Sequence, residues 1–214
     1  MSDLKIKTRN FDGDTLPESY ELIKNYAKTI KGVEGITCEI GLRRATASVA
    51  IMQGLIENND SRAHVCVDPY GDIIMLNDRF YGGSIRTGDY TNKMKAETLV
   101  SLYDWGHENN QNIIFFQLED TEFFNRFNDG VPIYNHEKQI VNKYAFVHVD
   151  GPHTVAAAEA ASKFFLNKMD KNSIIVYDNC DHYDHEYIET TYLFPDYTMI
   201  ENSLISHKRF YRKN

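Results

Sequence analysis

Two short apolar segments of this 214-residue chain each end in residues that bind cations or move protons. The first segment is followed by Asp150 and, three residues later, by His153, and the second by Asp178 and Asn179. Carboxylate and amide oxygens suit Mg²⁺ or a similar hard cation, which keeps some waters and takes substrate oxygens as further ligands. A neutral imidazole beside such an ion is a competent proton acceptor near neutral pH. The four residues together suggest catalysis.

These side chains meet only if parallel strands deliver them to one edge of a sheet. Runs of about five strand-like residues alternate with helical segments, which is typical of a parallel sheet covered on both faces. We predict strands over 36–40, 64–68, 112–117, 144–149 and 173–177, and a closing pair over 197–201 and 205–211. We predict helices over 17–30, 44–56, 92–108, 121–127, 154–169 and 185–193. The expected fold class is α/β and Rossmann-like: a mostly parallel seven-stranded sheet, helices on both faces and an antiparallel C-terminal strand.

Two further strand ends carry residues suited to a nucleotide-like ligand. Gly41 opens the first strand-to-helix turn, where a ligand can approach the backbone and a helix N-terminus offers free N–H groups. Asp68 ends the second strand, where an acid can bind the two hydroxyls of an adenosine ribose. A plainer interpretation stays open for both residues, because Gly41 also suits an ordinary tight turn and Asp68 also suits a cap before Pro69.

The polar residues after the fourth and fifth strands also have structural alternatives. Each acid or amide alone could be a cap or turn residue, and only their joint occurrence favours a site. His153 is either a proton acceptor or the cap of the alanine-rich helix that follows it. We interpret His182 and His185 as part of a polar, solvated loop, because no cysteine or histidine pair completes a zinc pattern.

Composition limits the classes of function. The net charge of −8, with acids spread along the chain, disfavours a protein that binds nucleic acid through phosphate contacts. The basic residues 207–214 are interpreted as a solvated terminal strand. Cys38 and Cys66 lie in apolar runs, and we expect both side chains to be buried as free thiols in a protein of a reducing compartment. No segment resembles a signal peptide or a membrane span, so we expect a cytoplasmic protein with no membrane partner, and leave a homo-oligomer open.

The order of motifs resembles class I S-adenosylmethionine-dependent methyltransferases. More narrowly, it is similar to the metal-dependent O-methyltransferases, both the catechol type and the family with an Asp-Gly-x-His segment after the fourth strand. The resemblance runs from about Thr37 to Asn179. It implies a cofactor site formed by Glu39, Gly41, Asp68, Gln117, Glu119 and Asp120. It also implies Asp150, Asp178 and Asn179 as ligands of Mg²⁺ or Mn²⁺, and His153 as the catalytic residue.

The chain departs from the family pattern in the cofactor loop. Ala45 stands where the family has its second glycine, and Arg43 and Arg44 occupy a turn that is usually small and neutral. The expected organisation is a single methyltransferase-like domain over 1–214, with 1–31 as an N-terminal helical extension and 76–91 as a lid loop.

The function implied by the resemblance is methyl transfer from S-adenosylmethionine to a hydroxyl of a small molecule, a sugar or a phenol, with help from a divalent metal. Two alternatives stay open. One is a degenerate, non-catalytic ligand-binding protein on the same fold. The other is a nucleotide-dependent oxidoreductase, which is disfavoured because Gly-x-Gly-x-x-Gly does not follow the first strand.

Overall fold

A computed structural model describes residues 17–71, 74–77, 83–86 and 90–214. The strands are β1 (Ile36–Ile40), β2 (His64–Val67), β3 (Ile74–Asn77), β4 (Gly83–Arg86), β5 (Ile113–Phe116), β6 (Val131–Asn135), β7 (Glu137–Val141), β8 (Tyr144–Val149), β9 (Ile174–Tyr177), β10 (Tyr197–Ser203) and β11 (Lys208–Lys213). The α-helices are α1 (Pro17–Lys28), α2 (Thr46–Glu57), α3 (Asn92–Glu108), α4 (Asp120–Arg126), α5 (Val155–Phe165) and α6 (His185–Ile188).

The central sheet has seven strands in the order β10-β11-β9-β8-β1-β2-β5. The five strands from β9 to β5 in this order pair in parallel. β11 is inserted antiparallel between β9 and β10. This confirms the predicted fold class, including the antiparallel C-terminal strand. The carboxyl ends of β1, β2, β5, β8 and β9 therefore lie along one edge of the sheet, as parallel pairing requires.

Helices cover both faces of the sheet. Phe146 packs with Ile23 of α1 and Ile51 of α2 on one face. Its neighbour Val147 packs with Phe165 of α5 on the other, because successive side chains of a strand point to opposite faces. All of these side chains are almost completely buried. Because both faces of the central strands are buried, their sequences are almost continuously apolar.

Two hairpins were not among the predicted elements. β3 pairs antiparallel with β4, and β6 pairs antiparallel with β7, each as a separate two-stranded sheet. Half of the predicted lid, residues 78–82 and 87–89 of the range 76–91, lies outside the described residues. Within the described part of the chain, none of the helices has the length and apolar character needed to cross a membrane.

Two interpretations of polar segments are wrong. The basic terminal strand is not solvated throughout, because Lys208, Phe210 and Tyr211 are each at most 2% exposed. His185 is not in a solvated loop either: it is 2% exposed, and its two ring nitrogens lie 3.0 Å from the hydroxyls of Tyr183 and Tyr211. In both cases the pairing of β11 with β9 encloses the residues.

Candidate active site

Gly41 directly follows the carboxyl end of β1, beside the carboxyl end of its parallel partner β8. Its φ is +88°, and a Cβ on this residue would approach the carbonyl oxygen of Asp150 to 1.9 Å. No side chain fits there, and the positive φ also favours glycine. The glycine therefore allows the loop that follows it to run directly beside the chain that carries Asp150.

Asp68 holds the loop that follows Gly41. Its two carboxylate oxygens accept hydrogen bonds from the backbone N–H groups of Arg43 and Tyr70, both at 2.8 Å. The Tyr70 hydroxyl donates to the Arg43 carbonyl at 2.6 Å. Burial raises the pKa of Asp68 to about 6, in spite of these backbone hydrogen bonds. Asp68 thus holds the loop that follows Gly41, a structural role that is separate from its predicted contact with a ribose.

The departures from the family pattern have a backbone consequence. Arg43 and Ala45 have φ values of +43° and +64°, in the left-handed region. A non-glycine residue there costs on the order of 1–2 kcal/mol. The loop is held in this conformation by Asp68 and Tyr70, so its shape depends on those contacts.

A cleft of ≈ 580 Å³ opens at the carboxyl edge of the sheet. It contains five of the predicted site residues. Its walls are formed by Ile40, Gly41, Val67, Asp68, Pro69, Tyr90, Leu118, Glu119, Asp120, Thr121, Asp150, Gly151, Pro152, Thr154, Ala156 and Ala157. The volume is within the range of small-molecule and cofactor pockets.

Two predicted cofactor residues do not line the cleft. Gln117 lies on its outer side, where its amide donates to the Pro69 carbonyl and accepts from Lys95, both at 3.1 Å. Glu39 is 2% exposed and lies beneath the cofactor loop. There it contacts the Ser48 hydroxyl and, at 3.0 Å, Nδ1 of His148. The buried Glu39 supports β1 and α2 from below the cleft.

The predicted metal ligands and the predicted catalytic histidine do lie close together. Ligand atoms of Asp150, His153 and Asp178 lie within 4.8 Å of one another. Nε2 of His153 is 3.1 Å from the amide nitrogen of Asn179 and 3.4 Å from Oδ1 of Asp150. Asp150 also lines the cleft that contains the predicted cofactor residues Gly41, Asp68, Glu119 and Asp120. This polar cluster is therefore adjacent to the cleft and joined to it through Asp150.

The alternative in which His153 caps the alanine-rich helix is wrong. Thr154 is the N-cap of α5, and its hydroxyl accepts from the Ala157 N–H at 3.1 Å. A threonine before an apolar helix is a recognisable cap in sequence. The His153 ring instead faces the acids and lies 5.5 Å from the ring of His182.

Sequence reasoning missed the most consequential member of the cluster, Lys208. Its ammonium nitrogen is 2.5 Å from Oδ1 of Asp178, and the two side chains are 3% and 9% exposed. Burial alone would raise the pKa of Asp178, but the charge of Lys208 and the hydrogen bond that its ammonium donates hold this pKa well below its usual range. Partial removal from water and the charge of Asp178 raise the pKa of Asp150 to about 6. Burial by itself would lower the pKa of Lys208. The negative charges of Asp178 and Asp150 outweigh this effect and raise the pKa.

The predicted metal ligands fit a divalent ion only in part. The oxygen donors of Asp150 and Asp178 are close enough to share an ion. However, Asp178 is already paired with a buried ammonium group. Asn179 presents its amide nitrogen, rather than its oxygen, to His153. In this arrangement Asp178 and Asn179 already have partners within the protein.

Solved structures with a similar fold include several methyltransferases. The O-methyltransferase NovP superposes with a TM-score of 0.60 at 16% identity, covering 92% of this chain and 80% of NovP. CalS11, a calicheamicin methyltransferase, gives 0.61 at 16% identity, covering 91% and 77%. An O-methyltransferase from Bacillus cereus in complex with SAH gives 0.58 at 13% identity, covering 96% and 84%.

Sequence comparison adds no closer relationship. No protein-family model matches the chain, and no curated protein is significantly similar to it. The structural similarities extend over nine-tenths of the chain at low identity. They establish that this chain has the fold found in these O-methyltransferases.

Proposed function

We propose that this protein transfers a methyl group from S-adenosylmethionine to a hydroxyl of a small molecule, a sugar or a phenol. The observation that supports this most strongly is the junction at Asp150. Its backbone abuts Gly41 in the cleft, while its carboxylate lies 3.4 Å from Nε2 of His153. A cofactor in the cleft and a proton acceptor beside it are the two parts that methyl transfer to oxygen requires.

The cofactor side of the proposal rests on the walls of the cleft. Asp68, Asp120 and Gly41 line it, and we assign Asp68 to the ribose, Asp120 to the region of the adenine, and Gly41 to close approach of the cofactor to the backbone. S-adenosylmethionine, when bound, supplies an electrophilic methyl carbon on a sulfonium centre. The acids along the cleft favour that positive charge.

His153 is the proposed proton acceptor. Its Nε2 lies 3.1 Å from the amide nitrogen of Asn179, and in the tautomer that carries the ring proton on Nδ1 it has a lone pair that can take a proton. As the acceptor oxygen bonds to the methyl carbon, the carbon–sulfur bond breaks with its electron pair left on sulfur. The hydroxyl proton passes to His153, and the Asp150 carboxylate stabilises the imidazolium that forms.

The divalent-metal requirement that the resemblance implies, with Mg²⁺ or Mn²⁺ on Asp150, Asp178 and Asn179, stays a prediction from the sequence, and the proposed reaction does not depend on it. The Lys208 ammonium competes for the same carboxylate, so no step proposed here passes through a metal. The proposed partner is a small-molecule acceptor, and the proposed organisation is one domain over 1–214. We retain 1–31 as an N-terminal extension and 76–91 as a lid.

A second candidate function is ligand binding without catalysis. The left-handed Arg43 and Ala45 favour it, because in this loop the chain departs from the pattern of the family of active enzymes that it resembles. Release of S-adenosylhomocysteine in a screen of sugar and phenol acceptors distinguishes the two. Acceptor-dependent release supports methyl transfer, whereas cofactor binding with no release from any acceptor supports the second candidate.

A further inference from the structure

The register of the C-terminal strand brings a lysine into the polar cluster. Arg209 of β11 pairs with Tyr177 of β9, so the preceding residue, Lys208, lies opposite Asp178. Its side chain is 3% exposed, and its ammonium is 2.5 Å from Asp178 Oδ1. A lysine is rarely buried to this extent unless its charge is matched by a partner. Here the partners are the acids of the candidate active site.

The ammonium changes what those acids can bind. Asp150 and Asp178 together offer two negative charges, and Lys208 cancels one of them. A divalent ion bound to the same Asp178 oxygen would lie no more than about 5 Å from the lysine nitrogen, given the short ligand distance of Mg²⁺. Two cations at that separation, partly shielded from water, repel each other strongly.

We propose that Lys208 is a built-in cation of the active site, which takes the position beside Asp178 that a divalent ion would need. The Asp150–Asp178 pair then keeps a single net negative charge beside the cleft, and its affinity for Mg²⁺ or Mn²⁺ is low. Lys208 is a positioning residue, because it fixes the Asp178 carboxylate. That carboxylate accepts a hydrogen bond from the backbone N–H of Asn179, and the Asn179 side chain contacts His153.

This inference deepens the proposed function, because it concerns the same site, but its test requires neither cofactor nor acceptor. Mn²⁺ binding to the full chain is measured by electron paramagnetic resonance of the free ion. The variants are Lys208→Met and Lys208→Gln, the second of which keeps a hydrogen-bond donor for Asp178. The matched control is Lys93→Met, which removes a lysine that is 84% exposed and 3.7 Å from Glu97.

We expect wild type and Lys93→Met to remain unsaturated at about 1 mM Mn²⁺, in the weak end of the range of protein sites for hard cations. Both Lys208 variants should bind Mn²⁺ at least about tenfold more tightly, since the vacated position accepts the ion. Adding Asp178→Asn to either variant should abolish that gain. A variant that folds only when Mn²⁺ is present supports the proposal in the same way.

Three results would overturn it. One is stoichiometric Mn²⁺ binding by wild type that Asp178→Asn removes, which needs no Lys208 variant to fold. Another is unchanged affinity in the Lys208 variants. The third is failure of both variants to fold at every Mn²⁺ concentration. None of these results depends on methyl transfer, so failure of this inference is distinguishable from failure of the proposed function.

Discussion

The carbonyl oxygen of Asp150 occupies the space that a side chain on Gly41 would need, since a Cβ there would approach it to 1.9 Å. The contact joins the end of β1 to the end of β8. The loop that we predict to bind the cofactor follows Gly41, and the polar cluster begins at Asp150. The two halves of the proposed site are therefore in direct backbone contact here.

Gly41→Ala should disrupt this contact. The added methyl overlaps the Asp150 carbonyl at a φ of +88°, so the two strands must separate. We expect a loss of about 3 kcal/mol, which for a chain of this length lowers Tm by roughly 6–12 °C. S-adenosylhomocysteine binding should also weaken. Gly32→Ala is the control: its φ is +81° but nothing lies within 4 Å, so it should cost only about 1 kcal/mol.

Asp68→Ala should weaken S-adenosylhomocysteine binding by roughly tenfold or more, the value of a charged hydrogen bond. Asp68 holds the Arg43 N–H at 2.8 Å, so Tm should fall as well. Calorimetry and thermal melting on one preparation check both effects. The exposed acid Asp104, changed to Ala, should alter neither. Normal affinity in a folded Asp68→Ala variant would remove Asp68 from the cofactor site.

His153→Ala should lower kcat by about 10²–10⁴-fold, the range expected for a lost general base. Binding of S-adenosylhomocysteine should barely change, because the cleft walls do not include His153. Tm should stay close to that of wild type, since Thr154 provides the helix cap. The exposed His136, replaced with Ala, serves as the control. Near-normal turnover of His153→Ala would show that another group takes the proton.

Stability should fall in acid partly because of His185. Burial, with a smaller effect of the Arg209 charge, lowers its pKa to about 3. Between pH 6.5 and about 3 the unfolded chain binds a proton at this residue that the folded chain does not. The free energy of unfolding therefore decreases as pH falls, by about 1.4 kcal/mol per pH unit for this one group.

His185→Gln removes this linkage. Denaturant unfolding between pH 4 and 6 should show a slope smaller than that of wild type by about 1.4 kcal/mol per pH unit. The exposed His107, changed to Gln, should leave the slope as it is in wild type. Equal slopes for His185→Gln and wild type would mean that His185 is protonated in the folded protein.

The fold was predictable because its signals are local. Apolar runs such as Ile36–Ile40 and the helix Asn92–Glu108 have the bounds that the sequence predicts. The strand-end residues followed, because parallel strands place their carboxyl ends at one edge. The hairpin β6–β7 was missed because Pro132 interrupts the apolar alternation of its first strand, and its second strand, Glu137–Val141, is mostly exposed and begins with polar residues.

The chemistry of Lys208 and His185 was not predictable from local pattern. Both are polar residues in polar surroundings in the sequence, and such residues are normally solvated. Their burial depends on the register in which β11 pairs with β9, a contact between distant parts of the chain. The role of Asp68 in holding Arg43 is non-local in the same way.

The central claim is that the cleft beside Asp150 binds S-adenosylmethionine. Titration calorimetry of the wild-type chain with S-adenosylhomocysteine, and in parallel with NAD, tests it most directly. We predict one S-adenosylhomocysteine site per chain, weakened in Gly41→Ala and Asp68→Ala but not in Gly32→Ala or Asp104→Ala, and no binding of NAD. Absence of S-adenosylhomocysteine binding to the folded protein, or saturable binding of NAD in its place, would contradict the account.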